Sequence, residues 1–527
     1  MLVEKINGLE TSFYHDVAKD VLRNEGSITQ FLNQLPFEKW EKNTKAFYST
    51  HRRHHIKNAI VKQYEGLTIP PAVQENIDAL LNEYTYTITT GQQIHIFLGP
   101  AFVMNKIWCC LDHCSKKNSE YPNHRFVPVF WMASEDHDFE EISALKLYNK
   151  EFKWNSGQKG PVGRMNPNSL LEIVDQLEEI LDNNPSNSKF ISICRKAYAS
   201  FDNFSQATRY ILNELFGEDG LLILDPDHPE LKILSKDLVI EDLIHNTVQV
   251  SLDEQIDKLK TIGIKAPINT RPVNHFYLDD NYRERLVKAS DGFSTLDNRI
   301  SFNADELTSS FDSLAEHMSP NAVLRPLYQQ MILPNYMYVG GAGELMYWLE
   351  LKKAFEKLTI PMPFFQIRSS AYVLPGKKMN KIKEGIANFQ NEWYLLNDEE
   401  FGQIVGKSLN KKNEEELKLL DEAGEKVEQV FDTLNAERLQ VNEKAHQKMQ
   451  NRAMQSINEL RSKYIDAQVK MNEDLNRRIQ WKNKLFGSKQ ERDYALLEFW
   501  SRYDALHQEK LWQKQFTEGQ KINVFIT

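Results

Sequence analysis

Apolar residues along this chain fall into two kinds of pattern. Short unbroken runs, rich in β-branched and aromatic residues and closed by turn or polar residues, occupy 84–90, 126–132, 221–225, 332–339 and 364–367. Their brevity and composition predict strands buried on both faces. Segments with helical spacing lie between several of them, including 101–116 and 344–358. Strands that alternate with helices predict a parallel sheet covered on both sides, the doubly wound α/β class, whose ligands bind in the crevice beyond the carboxyl ends of the strands. The pieces at about 152–216, mainly helical, and about 235–315, where a strand-like HFYL surrounds Phe276, read as insertions into this core of 1–406.

After Lys407 the pattern changes. Gly and Pro nearly vanish, Lys, Glu, Gln and Asn dominate as far as Lys484, and the apolar positions thin to a stripe. Leu420, Val427, Leu434 and Val441 recur every seven residues, and Ala453, Ile457, Leu460, Tyr464, Ala467 and Met471 at alternating four and three. This predicts an α-helical coiled-coil arm over 407–484 that needs a partner helix, from the same chain or from a second copy, to bury its narrow face. Phe486-Gly487-Ser488 then breaks the helix, and an amphipathic segment at about 490–508, within a C-terminal piece of 485–527, is expected to pack back on the body.

Composition narrows the picture. A chain of 527 residues is too long for one core, and its formal charge of -10 gives no general attraction to nucleic acid or anionic membrane. The start, MLVEKINGLETSFYHDV, lacks a signal-peptide pattern, and no run of about 18 apolar residues occurs. Four cysteines, Cys109, Cys110, Cys114 and Cys194, with the first three crowded together, make a poor disulfide framework and fit a reducing cytoplasm. Cys109, Cys110, His113 and Cys114 superficially suggest a metal site, but on a helix they read as small buried residues, and no metal is assigned.

Three strand ends carry the candidate chemistry. In TTGQQIHIFLGPAFVMNKI, Gly91 ends a strand and lets a ligand approach the backbone, while the amides of Gln92 and Gln93 donate and accept without titrating. A turn capped by the glutamines is the plain alternative. In VPVFWMASEDHDFEEI, a strand releases Glu135, Asp136, His137 and Asp138 at one tip, which suits a general base or a cation site, and equally an N-cap or solvated loop. In VLRPLYQQMILPNYMYVGGAGELMYWLEL, Gly340, Gly341 and Gly343 precede Glu344 in a strand, glycine turn and helix order that cradles anions. Arg325 upstream is a candidate anion clamp or a structural ion pair. Neither a P-loop nor a GxGxxG fingerprint is present, and GxSxG, HExxH and paired CxxC are absent too.

Taken together with PFFQIRSS, the helical arm and a late KQERDY, these motifs in this order resemble the bacillithiol biosynthesis cysteine-adding enzymes, the cysteine ligases of that pathway, over nearly the whole chain. His95 departs from the small residue more common there. The resemblance implies a Rossmann-like core related to class I nucleotidyltransferases and synthetases, and a coiled coil that makes a homodimer. It also implies condensation of L-cysteine with the amino group of glucosaminyl malate as the last step of the pathway, with ATP and Mg2+ activating the carboxylate by analogy to synthetases. The three strand ends motivate the role assignment: His137, Asp136, Asp138 and Glu135 form the candidate catalytic set, with Asp136 and His137 as its polar centre and His137 as candidate base for the amine. Thr90, Gly91, Gln92, Gln93, Gly99, Asn105, Lys106, Arg325, Gln329, Gly340, Gly341, Gly343, Glu344 and Tyr347 are the candidate substrate- and nucleotide-binding residues, with Gly91, Gln92 and Gln93 as the pocket floor, Gly340, Gly341 and Glu344 as the opposite wall and Arg325 as the anion clamp. A non-catalytic scaffold that binds a sugar acid, or a ligase for another amino sugar, are the competing readings.

Overall fold

The computed structural model describes residues 2–11, 13–147, 150–181, 184–374, 411–471 and 500–526. Two units divide the chain: Met1–Leu9, Tyr14–Val373 and Asp493–Thr527 form one, Glu10–Phe13 and Leu374–Arg492 the other.

Five parallel strands organise the first unit: β1 (Thr85–Gln93), β2 (Arg125–Ala133), β3 (Leu222–Leu224), β4 (Asn335–Gly340) and β5 (Phe364–Ile367). Across the sheet they run β5-β4-β1-β2-β3, each neighbour parallel. This is the Rossmann-like, doubly wound order. The chain builds outward from β1 to β3, then returns to the other side of β1 for β4 and β5. The reversal opens a crevice between the carboxyl ends of β1 and β4.

The fourth strand begins later than the apolar run suggested, because 325–332 coils into helix and Ile332 is its last residue. Pro334 pushes the preceding Leu333 into extended backbone (φ -104°, ψ 134°) and so ends the helix. Likewise 344–358 is two helices, not one, split around Leu349 and Leu351.

Three helices frame the crevice: α1 (Phe102–Glu120), α2 (Arg325–Ile332) and α3 (Ala342–Trp348). The loop from β1 to α1 turns through left-handed backbone at Phe97, Leu98 and Gly99. His95 packs so closely on that turn that a Cβ at Gly99 would lie 2.6 Å from the His95 Cβ, so only glycine fits. Val103 through Cys114 of α1 are all buried. Cys109 donates to the Phe516 carbonyl at 3.1 Å and Cys110 to that of Ile88 at 2.9 Å, which makes them packing residues; burial pushes the Cys109 thiol up to about 12.

Helices at Leu171–Ile180, Pro185–Ser200 and Phe204–Phe216 make up the first insertion. In the second, strands at His275–Asp279, Tyr282–Ala289, Gly292–Thr295 and Ser301–Phe302 join Met318–Pro320 in an antiparallel sheet. Val239, Leu243, Leu286 and Phe293 give that sheet its own core. The two ends of the chain pair, Leu2–Asn7 against Lys521–Ile526, which no local pattern announced. Trp500–Gln508 is helical, and Trp108 of α1 donates to His507 Nδ1 at 3.1 Å. The Phe486-Gly487-Ser488 break, KQERDY and 490–499 of the expected amphipathic segment lie outside the described residues, as do 407–410 and 472–484 of the expected arm.

The second unit contains α4 (Lys411–Thr433) and α5 (Glu443–Met471), packed antiparallel as a hairpin. Asp421 pairs with Arg461 at 3.0 Å, and Tyr464 donates to Glu416. Leu434 and Val441 do not continue the sevenfold stripe, since both fall in the connection between the helices. Leu460 stands 57% exposed, and among the described side chains of the hairpin's helices Leu417, Gly424 and Ile465 are the buried ones. No helix among the described residues is long and apolar enough to cross a membrane.

Candidate functional site

A cavity of about 410 Å³ occupies the crevice. Its floor comes from the end of β1, where Gly91, Gln92 and Gln93 lie beside Trp131 and Ala133 of β2. Phe102 and Lys106 of α1, Arg325 and Gln329 of α2, and Gly341, Gly343, Glu344 and Tyr347 around α3 form its sides. Ten of the residues singled out in the sequence therefore meet in one cavity, although they come from segments more than two hundred positions apart.

Lys106 is the buried cation of this floor. Its position one turn into α1 sends the side chain back toward the helix start, where Nζ donates to the Gly91 carbonyl at 2.7 Å and to Gln92 Oε1 at 3.1 Å. Nζ also sits 2.7 Å from Glu344 Oε2. Glu344 receives in addition the Gly341 N–H at 2.7 Å on Oε2 and the Tyr338 hydroxyl at 2.8 Å on Oε1. Burial works to raise its carboxyl, but Lys106 and these donors outweigh burial and hold it below the usual range. The glycine turn thus folds back on a carboxylate of its own, Glu344 accepting from the Gly341 N–H, and Lys106 ties it to β1.

Asp136 forms a second polar node at the edge of the cavity. Gln93 Nε2 donates to its Oδ2 at 3.2 Å and the His137 backbone N–H to its Oδ1 at 2.8 Å. Arg325 stands 4.0 Å and Arg283 3.6 Å away. Burial raises the Asp136 carboxyl, yet the two guanidinium groups hold it below its ordinary value. These commitments leave the Gln92 amide N–H groups and the Gln93 amide oxygen without partners among the described residues.

The remaining sequence candidates are placed elsewhere. Glu135 is buried away from the cavity in an ion-pair chain, 2.9 Å from Lys232, which is 2.7 Å from Asp227, itself 2.7 Å from Arg164. Asp138 is exposed and caps a four-residue helix without a side-chain bond. Thr90 turns into the sheet and donates to the Val339 carbonyl at 2.9 Å. Asn105 donates to the Ala371 carbonyl at 3.3 Å, Gly340 packs under the Phe365 ring, and Gly99 shapes the loop before α1. His137 lies beside Asp136 with its side chain 47% exposed.

Several lining residues carried no warning in the sequence. Tyr338 and Trp348 belong to runs that read as core, and Trp131 to a buried strand. Arg368 follows the end of β5, the same strand-end position that marked the other candidates, and that rule applied to PFFQIRSS would have found it. Arg283 comes from the second insertion and reaches Asp136 across 147 positions of sequence, which no spacing rule reveals. Among the described residues no group of three or more His, Cys, Asp or Glu side chains is placed to hold a metal ion.

Comparison with known proteins agrees with the Rossmann-like fold. The family model described as "Bacillithiol biosynthesis BshC, N-terminal Rossmann-like domain" matches residues 1–369. A Flavobacterium johnsoniae protein named "Putative cysteine ligase BshC" is 35% identical over 375 residues, 70% of each chain. The Flavobacterium psychrophilum protein of the same name is 35% identical over 402 residues, 75% of each chain, and that of Christiangramia forsetii 34% over 381 residues, 71% of each.

Proposed function

The chain belongs to the BshC family of bacillithiol biosynthesis, and from that premise we propose that it is a ligase that joins the carboxyl group of L-cysteine to the amino group of glucosaminyl malate, forming an amide in the last step of the pathway. The observation that carries this reading is the convergence of neutral amides, two arginines and a fixed carboxylate on one cavity at the switch point of the sheet. The substrates offer a hydroxylated sugar, carboxylates and an amine. The Gln92 amide N–H groups suit hydroxyl or carboxylate oxygens, the Gln93 amide oxygen suits an amine or hydroxyl, and Arg325 with Arg368 suits carboxylates or phosphates.

A free carboxylate does not acylate an amine unaided, and ATP with Mg2+ is the proposed source of activation. Arg325, Arg368 and the Gln92 amide are the donors here that suit its phosphates, and Mg2+ would travel with those phosphates, since the described residues offer no carboxylate cluster for it. ATP bound there would turn the cysteine carboxyl into an acyl donor. The chain's own part is then to hold amine and acyl carbon at reacting distance, which supplies most of what such a site contributes. Homodimerisation through the helical hairpin completes the proposal.

The test is a reconstituted assay. Purified protein with L-cysteine, glucosaminyl malate and Mg-ATP should yield bacillithiol by mass spectrometry, and omission of any one component should abolish it. Binding of glucosaminyl malate without product under all activation conditions would replace the ligase reading with that of a sugar-acid-binding protein.

A further inference from the structure

The histidine at the tip of β2 is held from the side opposite to the one a base would need. Arg283 Nη1 lies 2.8 Å from His137 Nδ1. The guanidinium has only N–H groups and stays charged, so Nδ1 must present its lone pair to it. An N–H at Nδ1 would face a second donor, and Asp136 Oδ1, at 3.9 Å, is too far to accept it. In the neutral ring the proton therefore resides on Nε2, and the ring's shape carries that N–H away from Arg283, on a side chain that is 47% exposed.

Arg283 is itself fixed on every side. Its guanidinium lies 3.9 Å from the centre of the Phe276 ring, Nε donates to Ser319 Oγ at 3.2 Å, and its side chain is 3% exposed. Phe276 also packs against His137 at 5.9 Å between ring centres. The charged groups facing the imidazole are thus Arg283 and Asp136, with Arg325 behind Asp136.

We propose that His137 acts as a hydrogen-bond donor through Nε2–H to an anionic group of the substrate, a carboxylate or phosphate, and that Arg283 of the second insertion is the positioning residue that fixes this tautomer. A general base at Nε2 needs the opposite tautomer, which the Arg283 contact disfavours. The insertion thereby helps shape a site otherwise built from the sheet domain. The kinetic part of this inference rests on the ligase reading; the tautomer does not.

Two measurements test it. In protein labelled with 15N in histidine, the His137 ring, assigned by its loss in His137→Ala, should show a protonated Nε2 and an unprotonated Nδ1 at pH 8. A protonated Nδ1 overturns the proposal whatever the protein catalyses. In the thiol-forming assay, His137→Gln keeps a side-chain N–H donor near the Nε2 position but cannot act as a base, and should stay within tenfold of wild-type kcat/KM while His137→Ala falls a hundredfold. Equal loss in both variants assigns His137 as the base. Arg283→Met should raise the Nδ1–H fraction, and Arg283→Lys should restore part of the lost rate; a tautomer unmoved in Arg283→Met, with folding intact by circular dichroism, removes Arg283 from the role. A wild type that makes no thiol but shows the Nε2–H tautomer would refute the ligase reading alone.

Discussion

The contact between Lys106 and Glu344 offers the most direct measure of how the cavity is held together. Lys106 has three acceptors, and its side chain is 3% exposed against 24% for Glu344. Removing one partner of a buried pair costs about 3–5 kcal/mol, because the survivor stays charged without compensation. Two features reduce that here. The exposed quarter of Glu344 lets solvent screen it, and Tyr338 and Gly341 still donate to it once Lys106 is gone. Lys106→Met should therefore cost about 2–3 kcal/mol. For a cooperative unit of roughly 400 residues, unfolding entropy near 2.1 cal/mol/K per residue converts this to a Tm loss of about 2.5–4 °C. Glu344→Gln should cost a similar amount, since it strands the ammonium with only a carbonyl and an amide oxygen. In the double variant both charges are gone, so calorimetry should find it more stable than the summed single effects by about 1–2 kcal/mol. Additive losses, within about 0.5 kcal/mol, would mean that the two groups are neighbours without being energetically linked, and the account of the floor would fail.

Other consequences are open to simpler assays. Asp136 has a folded-state value below its ordinary one, so its share of stability is present at neutral pH and is lost as pH falls through that lower value; Asp136→Asn should flatten the acid side of the Tm-against-pH curve, and an unchanged curve would contradict the Arg325 and Arg283 contacts. Glu350 behaves oppositely: its carboxyl is buried with Oε2 unpartnered, and burial raises it to about 7. Its protonated form is favoured on folding, so stability is lost as pH rises from about 4.5 to about 7, by at most about 3 kcal/mol; Glu350→Gln should raise Tm at pH 8 and change little at pH 4. On the hairpin, Leu419, Val430 and Leu460 are 65%, 52% and 57% exposed; under the proposed homodimerisation, light scattering should find the mass of a dimer for the wild type and of a monomer once all three are replaced by Gln, and a mass unchanged by the substitutions would exclude these residues as the pairing face.

The parts of the site legible in the sequence are those that a strand end dictates. Gly91, Gln92, Gln93, Glu344 and the glycines before it stand where buried apolar runs stop, and in a doubly wound sheet those ends share one edge. What adjacency in sequence could not separate was side-chain direction at neighbouring positions. Glu135 and Asp136 are adjacent, but the turn that follows β2 sends Glu135 into the Lys232 ion pair and Asp136 toward Gln93. Thr90, on the strand itself, faces away from the cavity that Gly91 lines, by the alternation of extended chain. The stripe through Leu434 and Val441 misled because a sevenfold repeat persists across a turn without knowing that the helix has ended. Arg283 was invisible because an insertion's position over the sheet follows from tertiary packing, not from any local period.

The charges around the cavity also constrain how the proposed reaction loses its proton. An amine attacking an acyl donor must shed one, and the sequence nominated acidic and histidine side chains to take it. Glu344 already accepts from Lys106, Gly341 and Tyr338, and is held in its ionised form by them, so it is a weak acceptor for a further proton. Asp136 is ionised for the same kind of reason and faces two arginines, an environment that repels an approaching ammonium. His137 offers a donor on the side away from Arg283. Each group is better fitted to hold charge in place than to exchange it. A site with those properties works by orientation and by stabilising negative charge as it develops, which leaves the departing proton to solvent or to an oxygen of the activated substrate, and makes the amine's own protonation state, rather than that of Glu344 or Asp136, the quantity that sets the rate's dependence on pH.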